Sequence, residues 1–250
     1  MLDVKKTLLD RTSVRRYERE AIPEEKMEFI REAIRNCPNS YNGQQYSVIE
    51  IDDQDLKIEL EQLTGQKQIK TCNRFLVFLS DFNQIKALAD RKGLEWPKLE
   101  DTMDGVLLGT IDASLAMMSA VVAAEAVGLG SNCIGYLRTV DPAKVAELLQ
   151  LPKGVFVVCG LAIGVPREHP DLKPKKPLSV MFHKNRYQQD REKMVDELEK
   201  YDEVVKEYNR NRSGDTTTND WVSHILDYYR HVLDYRILDY LRDQGYDVKK

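Results

Sequence analysis

The stretch ASLAMMSAVVAA, residues 113–124, carries no charge between Asp112 and Glu125, and it constrains the chain more than any other segment. Alanine, leucine and methionine are strong helix formers, and the apolar residues fall on nearly every face, so the pattern predicts a helix over 111–127. A helix of that kind belongs at the centre of a fold or in an oligomer interface. Its uncharged part is well short of the roughly 20 residues that a membrane helix needs. The opening MLDVKKTLLD lacks the apolar core of a signal peptide. No membrane segment is therefore expected.

Around that helix the pattern alternates between strands and helices. Val4, Leu8 and Leu9 make one apolar stripe on a short helix ending near Arg11, and Pro23 opens a second helix that ends near Pro38. YSVIEIDD alternates like a strand, RFLVFLSDF (74–82) reads as a buried one, and VFVVCGLAIGVP (155–166) is the strongest of the three. Asp141 followed by Pro142 marks another helix start. The GLG at 128–130 follows a helix, and Cys133 stands where a dinucleotide-binding turn needs glycine, so GLG is read as a helix cap. Past residue 187 the composition changes. A charged helix carries Met194, Leu198, Tyr201, Val205 and Tyr208 on one face, RSGDTTTND is a linker, and 221–243 reads as one last helix. The expected organisation is a core over 1–187 and a helical extension over 188–250 that packs on the core or on a partner subunit.

Several function classes are excluded by composition. A pI near 5.7 with net charge -4 argues against a binder of nucleic-acid backbone. Cys37, Cys72, Cys133 and Cys159 are scattered without C-x-x-C spacing, so neither a zinc site nor a disulfide framework is expected, and a cytoplasmic location suits reduced thiols. There is no G-x-S-x-G and no H-E-x-x-H.

Two basic clusters stand out: Arg11, Arg15, Arg16 and Arg19 near the start, and Lys173, Lys175 and Lys176 after the strongest strand. One reading is a solvated face in which Glu18 and Glu20 neutralise the arginines. The other is convergence on one phosphate, where guanidinium and ammonium groups work together. The residues alone leave both open.

Several segments in order resemble the FMN-dependent nitroreductases. RTSVRRYEREAIPEEKMEFIREAI is similar to their opening R-S-x-R-x-[FY] motif, and GLGSNCIGYLR to G-L-G-x-x-x-I-G-G-[LI]-R. TGQKQI, HPDLKPKKP with FHKNRY, and the closing LDYLRDQGY resemble the flavin reductase and oxygen-insensitive NADPH nitroreductase branch. The resemblance covers essentially the whole chain. It implies an α+β fold with a mostly antiparallel central sheet wrapped by helices. It also implies a homodimer with FMN at the interface and a C-terminal helical extension exchanged or packed there.

By the same resemblance Arg11, Lys173 and Lys175 hold the FMN phosphate with Ser13 beside them, and Arg15 reaches the N1/O2 edge of the flavin. Asn39, Ser40 and Gln66 contact ribityl and pyrimidine groups, with Asn39 and Ser40 reaching from the other subunit. The Ile134–Gly135 backbone lies beside flavin N5, and Cys133 is a further cofactor-binding residue. Tyr136 replaces the second glycine of the family pair and faces the substrate, and Arg212 aligns with an arginine for the NADPH 2′-phosphate. The implied activity is hydride transfer from NADPH or NADH through FMN to nitroaromatics, quinones or free flavin by a ping-pong mechanism. The alternative is a flavin-binding protein with little turnover. Small-molecule acceptors are the expected partners, with no nucleic acid and no metal.

Overall fold

In a computed structural model that describes residues 4–214 and 216–248, four strands pair antiparallel in the order β1-β2-β4-β3. They are β1 (Tyr46–Ile51), β2 (Arg74–Asp81), β3 (Gly130–Ile134) and β4 (Val155–Gly164). All ten residues of β4 are buried, as expected for an apolar strand with a neighbour on each side and helices on both faces. β2 shows why two cores form. Leu76 and Phe78 point into one apolar cluster, while Phe75, Val77 and Leu79 point into the other. Side chains alternate across a strand, so a continuous apolar run supplies both faces.

The described helices are α1 (Val4–Asp10), α2 (Glu24–Arg35), α3 (Gln54–Thr64), α4 (Lys67–Thr71), α5 (Asn83–Arg91), α6 (Met103–Ala126), α7 (Pro142–Leu148), α8 (Leu178–Met181), α9 (Arg191–Asn211), α10 (Trp221–Val232) and α11 (Ile237–Asp243). Helices α2 and α6 cover the first face of the sheet; α3, α4 and α7 cover the second.

The apolar helix α6 runs to 24 residues, and it starts eight positions before the expected boundary. By length and composition it would reach across a bilayer. Its packing is that of a core helix. Ala113, Ala116, Ala120 and Ala124 are fully buried, and their small side chains let the helix lie close on the sheet. Gly109 allows the closest approach, since a Cβ there would sit 2.0 Å from Ser80 Oγ. The opposite side leaves Met103, Leu107, Ile111, Leu115 and Met118 exposed at helical spacing. The helix ends as GLG predicts. Gly128 adopts φ 76°, its N–H donates to Glu125 O at 3.1 Å, and Leu129 N–H donates to Ala124 O at 2.9 Å. Gly130 then opens β3.

The chain divides into two compact units, one running to His169 and resuming at Arg236, the other Pro170–Tyr235. This division differs from the expected boundary at residue 187. The proline-rich basic loop belongs with the second unit, because α9 holds it there. Tyr208 Oη donates to Asp171 O at 3.1 Å, Tyr201 Oη donates to Pro174 O at 3.3 Å, and Ser213 N–H donates to Asp171 Oδ2 at 2.6 Å. The single helix expected over 221–243 is two helices, interrupted between Val232 and Ile237 where the chain passes from one unit to the other. In the first unit Tyr246 is fully buried; its ring meets Phe156 edge-on at 5.1 Å, and its hydroxyl donates to Gly154 O at 3.0 Å.

Candidate functional site

The arginine-rich segment after α1 is laid against the sheet by a short parallel bridge. Ser13 pairs with Ser131 of β3, and Val14 N–H donates to Ser131 O at 3.0 Å. A Cβ on Gly130 would come within 2.7 Å of the Val14 side chain, so glycine is what admits this approach. Tyr17 locks the far end, with its buried hydroxyl donating to Val14 O at 2.6 Å. Burial pushes that phenol well above the ordinary tyrosine range, which suits a donor that stays protonated.

This arrangement brings Arg11, Ser13, Arg15 and Cys133 of β3 together. Arg11 Nη2 lies 3.4 Å from Ser13 Oγ, and Arg11 Nε is buried without a hydrogen-bond partner among the described residues. A buried guanidinium nitrogen left in that state is costly unless a ligand completes it. Arg11 acts on two neighbours. Burial raises the Glu125 carboxyl and the Cys133 thiol, and in both cases the arginine pulls the other way. Among the described residues the Glu125 carboxyl Oε1 is buried without a hydrogen-bond partner, and Arg11 is the charge that acts on it at the end of α6. Arg15 Nη1 donates to Ser13 O at 3.2 Å.

The neutralisation of the arginines by Glu18 and Glu20 is not what forms. The acid that serves this segment is Glu168, in the loop after β4. Its Oε1 accepts Arg15 N–H at 2.7 Å and Arg16 N–H at 3.2 Å, and its Oε2 lies 3.6 Å from Arg16 Nε. Nothing in the sequence marks Glu168, because the pairing spans 153 positions.

At the end of β3, Ile134 is buried and Cys133 exposed, and Gly135 opens a 3-10 turn, Tyr136–Arg138. A Cβ on Gly135 would meet Arg138 Nη1 at 2.9 Å, a contact that the end of that flexible side chain can relieve by shifting. Tyr136 follows at 40% exposure. Gln66 precedes α4, and its Oε1 accepts from Gln68 Nε2 at 2.8 Å.

Asn39 and Ser40 lie on a separate loop, tied to α6. Asp112, 1% exposed, accepts the N–H of Ser40 at 3.1 Å and of Gln45 at 3.3 Å. Asn39 Oδ1 accepts Gln44 N–H at 3.1 Å. Tyr41, Asn42 and Gln44 all adopt positive φ, and Tyr41 is 100% exposed. A non-glycine run held in that region marks a loop whose shape is imposed from outside its own sequence preference. Asp112 is the residue that sequence reasoning missed here. Its signal is visible: an acid in the middle of an otherwise apolar stretch of helix.

Lys173, Lys175 and Arg212 stand in the second unit. Lys173 and Arg212 line a cavity of about 310 Å³ with Tyr201, Tyr208, Trp221 and His224, while Lys175 is exposed.

Residues 8–165 match the model of the nitroreductase family, and residues 173–249 match the nitroreductase family C-terminal domain. The chain is 35% identical over 252 residues to an FMN reductase [NAD(P)H] from Bacillus subtilis, covering 100% of both. It is 35% identical to an oxygen-insensitive NADPH nitroreductase from Salmonella typhimurium, covering 95% of each. Its backbone superposes on the NADPH:FMN oxidoreductase from Vibrio harveyi complexed with NAD+ with a TM-score of 0.86, at 27% identity and 99% coverage of both chains.

Proposed function

Because this chain belongs to the nitroreductase family, we propose that it is an FMN-dependent oxidoreductase that draws reducing equivalents from NAD(P)H. The observation that carries the reading is Arg11: a half-buried guanidinium whose Nε is buried and has no hydrogen-bond partner among the described residues, beside Ser13. When bound, FMN supplies the redox chemistry, accepting a hydride and passing it to an acceptor.

The protein's part is to bind, orient and polarise. Arg11 and Ser13 take the phosphate as charge-assisted donors. Arg15 brings a fixed cation to the N1/O2 edge, where reduction gathers negative charge. Gln66 serves the ribityl and pyrimidine groups, Ile134 and Gly135 offer backbone beside N5, and Cys133 is a further cofactor contact. The assignment of Lys173 and Lys175 to the phosphate, and of Arg212 to NADPH, rests on resemblance alone. Nitroaromatics, quinones and free flavin are the proposed acceptors, used in a ping-pong sequence after the nicotinamide leaves.

A homodimer is part of this reading. The exposed stripe from Met103 to Met118 on α6 is an apolar face of the kind that subunit interfaces cover. The loop that α6 holds, with Asn39 and Ser40, then reaches the partner's cofactor.

The test is a visible absorption spectrum of the purified protein, repeated anaerobically with NADPH and with NADH. A flavin spectrum bleached by either nucleotide supports the proposal and ranks the donors. A flavin spectrum that neither bleaches favours a binding protein with little turnover, in which Tyr136 obstructs the acceptor. A colourless protein that takes up no FMN ends the reading.

A further inference from the structure

A second concentration of positive charge lies in the first unit, largely outside the residues assigned to FMN. A cavity of about 820 Å³ is bounded by the Arg15–Arg19 segment, α3, α4 and the loop at Arg167. Seven of its 14 lining residues are arginine or lysine and one, Glu18, is acidic. Two of these cations are compensated by carboxylates outside the lining: Arg16 by Glu168 at 3.6 Å and Lys70 by Glu61 at 3.3 Å. Arg19, Lys57, Lys67 and Arg167 have no carboxylate within ion-pair distance among the described residues.

Lys57 separates this cavity from an ordinary solvated basic face. It is 4% exposed, and among the described residues its ammonium makes a single hydrogen bond, to Cys72 O at 3.0 Å. An ammonium carries three donors and is rarely buried without an anion to balance it. An exposed, fork-shaped guanidinium at Arg19 and an exposed, point-charge ammonium at Lys67 are among the lining, the combination that suits phosphate oxygens. The volume admits a group as large as a nucleotide.

We propose that this cavity is a binding site for a phosphorylated small molecule carrying at least two negative charges, separate from the FMN phosphate site. Lys57 is its buried counter-charge, and Arg19, Lys67 and Arg167 its exposed ones. Arg15 stands on the boundary between this cavity and the residues assigned to the flavin, so a ligand here lies close to the proposed redox centre.

The experiment is calorimetric titration of the FMN-saturated full-length protein with inorganic pyrophosphate at low salt, with flavin absorbance followed in parallel. Saturable binding at one site per chain, without FMN release, is expected. Replacing both Arg19→Gln and Lys67→Gln should weaken it at least tenfold, while Lys92→Gln, outside the lining, leaves it unchanged. Lys57→Met should abolish binding, and the exposed pair carries the test should that variant fail to fold. Repeating the titration with adenosine diphosphate and with orthophosphate distinguishes a nucleotide from a phosphate chain as the occupant, and either preference supports the site. Absence of saturable binding overturns the proposal. So does equal weakening by Lys92→Gln, or stoichiometric release of FMN, which would place pyrophosphate in the cofactor's own phosphate site.

Discussion

Asp112 Oδ1 accepts the backbone N–H of Ser40 at 3.1 Å, joining the most apolar helix of the chain to a loop built from strained backbone. Removing the carboxylate leaves that N–H and the one on Gln45 without their acceptor. A buried unsatisfied donor costs about 1–3 kcal/mol. Asp112→Ala should therefore lower the melting temperature and loosen the 39–45 loop. FMN affinity should fall as well, since the loop contributes to the cofactor site in the proposed dimer. Asp112→Asn, which keeps one acceptor, should fall between. Thermal melts and flavin titration check this; unchanged flavin affinity in Asp112→Ala would separate the loop from the cofactor.

Arg11 offers a direct test of the phosphate assignment. Hydrogen bonds to charged groups contribute about 1.5–3 kcal/mol, so Arg11→Gln should weaken FMN roughly tenfold to a hundredfold. Arg11→Lys keeps the charge and loses the fork, and its effect should be smaller. Fluorescence quenching of added FMN measures both, and an Arg11→Gln protein that holds FMN like the parent would sink the assignment.

Glu125 gives a pH signature. Burial raises its folded pKa above that of the unfolded chain, and Arg11 only partly offsets this. The folded state then binds more protons than the unfolded state between the two values, so stability falls as pH rises through that window. Glu125→Gln removes the titration. Its melting temperature should track the parent's below the ordinary glutamate pKa and exceed it progressively above, in melts run from pH 4 to pH 8 on the flavin-free protein. Parallel curves would mean Glu125 does not titrate in the fold.

Cys133 is the exposed thiol, whereas Cys37, Cys72 and Cys159 are buried. Burial pushes Cys72 up to about 12 and Cys159 up to about 11, so neither forms thiolate near neutrality. Iodoacetamide at pH 8 should label one cysteine, identified by peptide mass as Cys133, slowly because partial desolvation raises that thiol as well, and saturating FMN should slow the labelling further. Equal rates with and without FMN would place Cys133 away from the cofactor.

The exposed stripe on α6 predicts the oligomeric state. Ile111→Glu with Leu115→Glu puts two charges on that face without touching the buried alanines. Sedimentation should show a dimer for the parent and a monomer with reduced FMN content for the variant. A variant that sediments like the parent would move the interface elsewhere.

Much of this architecture is legible in the residues, and the exceptions have physical causes. Apolar runs identify β1, β2 and β4, and GLG identifies the end of α6. β3 escapes notice because GSNCI has neither alternation nor bulk; it is a strand because β4 and the Ser13 bridge pair with it. The first turns of α6 contain Gly105 and Gly109, poor helix formers kept where a side chain would strike Leu99 O and Ser80. The break between α10 and α11 has no glycine or proline to announce it. At the candidate site, motif order brings forward Arg11, Ser13, Arg15 and Gly135. Glu168 and the buried Lys57 depend on contacts across the fold, which spacing along the chain does not encode.

The return of residues 236–246 to the first unit also bears on biosynthesis. Gly154 N–H donates to Gln244 O at 2.7 Å, and Tyr246 fills the core against Phe156, so the sheet's first face is finished by residues made only after the whole second unit. At the roughly 5–20 residues per second of translation, the excursion through Pro170–Tyr235 takes seconds. For that interval the ribosome holds a sheet whose closing plug has not yet been synthesised, the window in which a chaperone has most to shield.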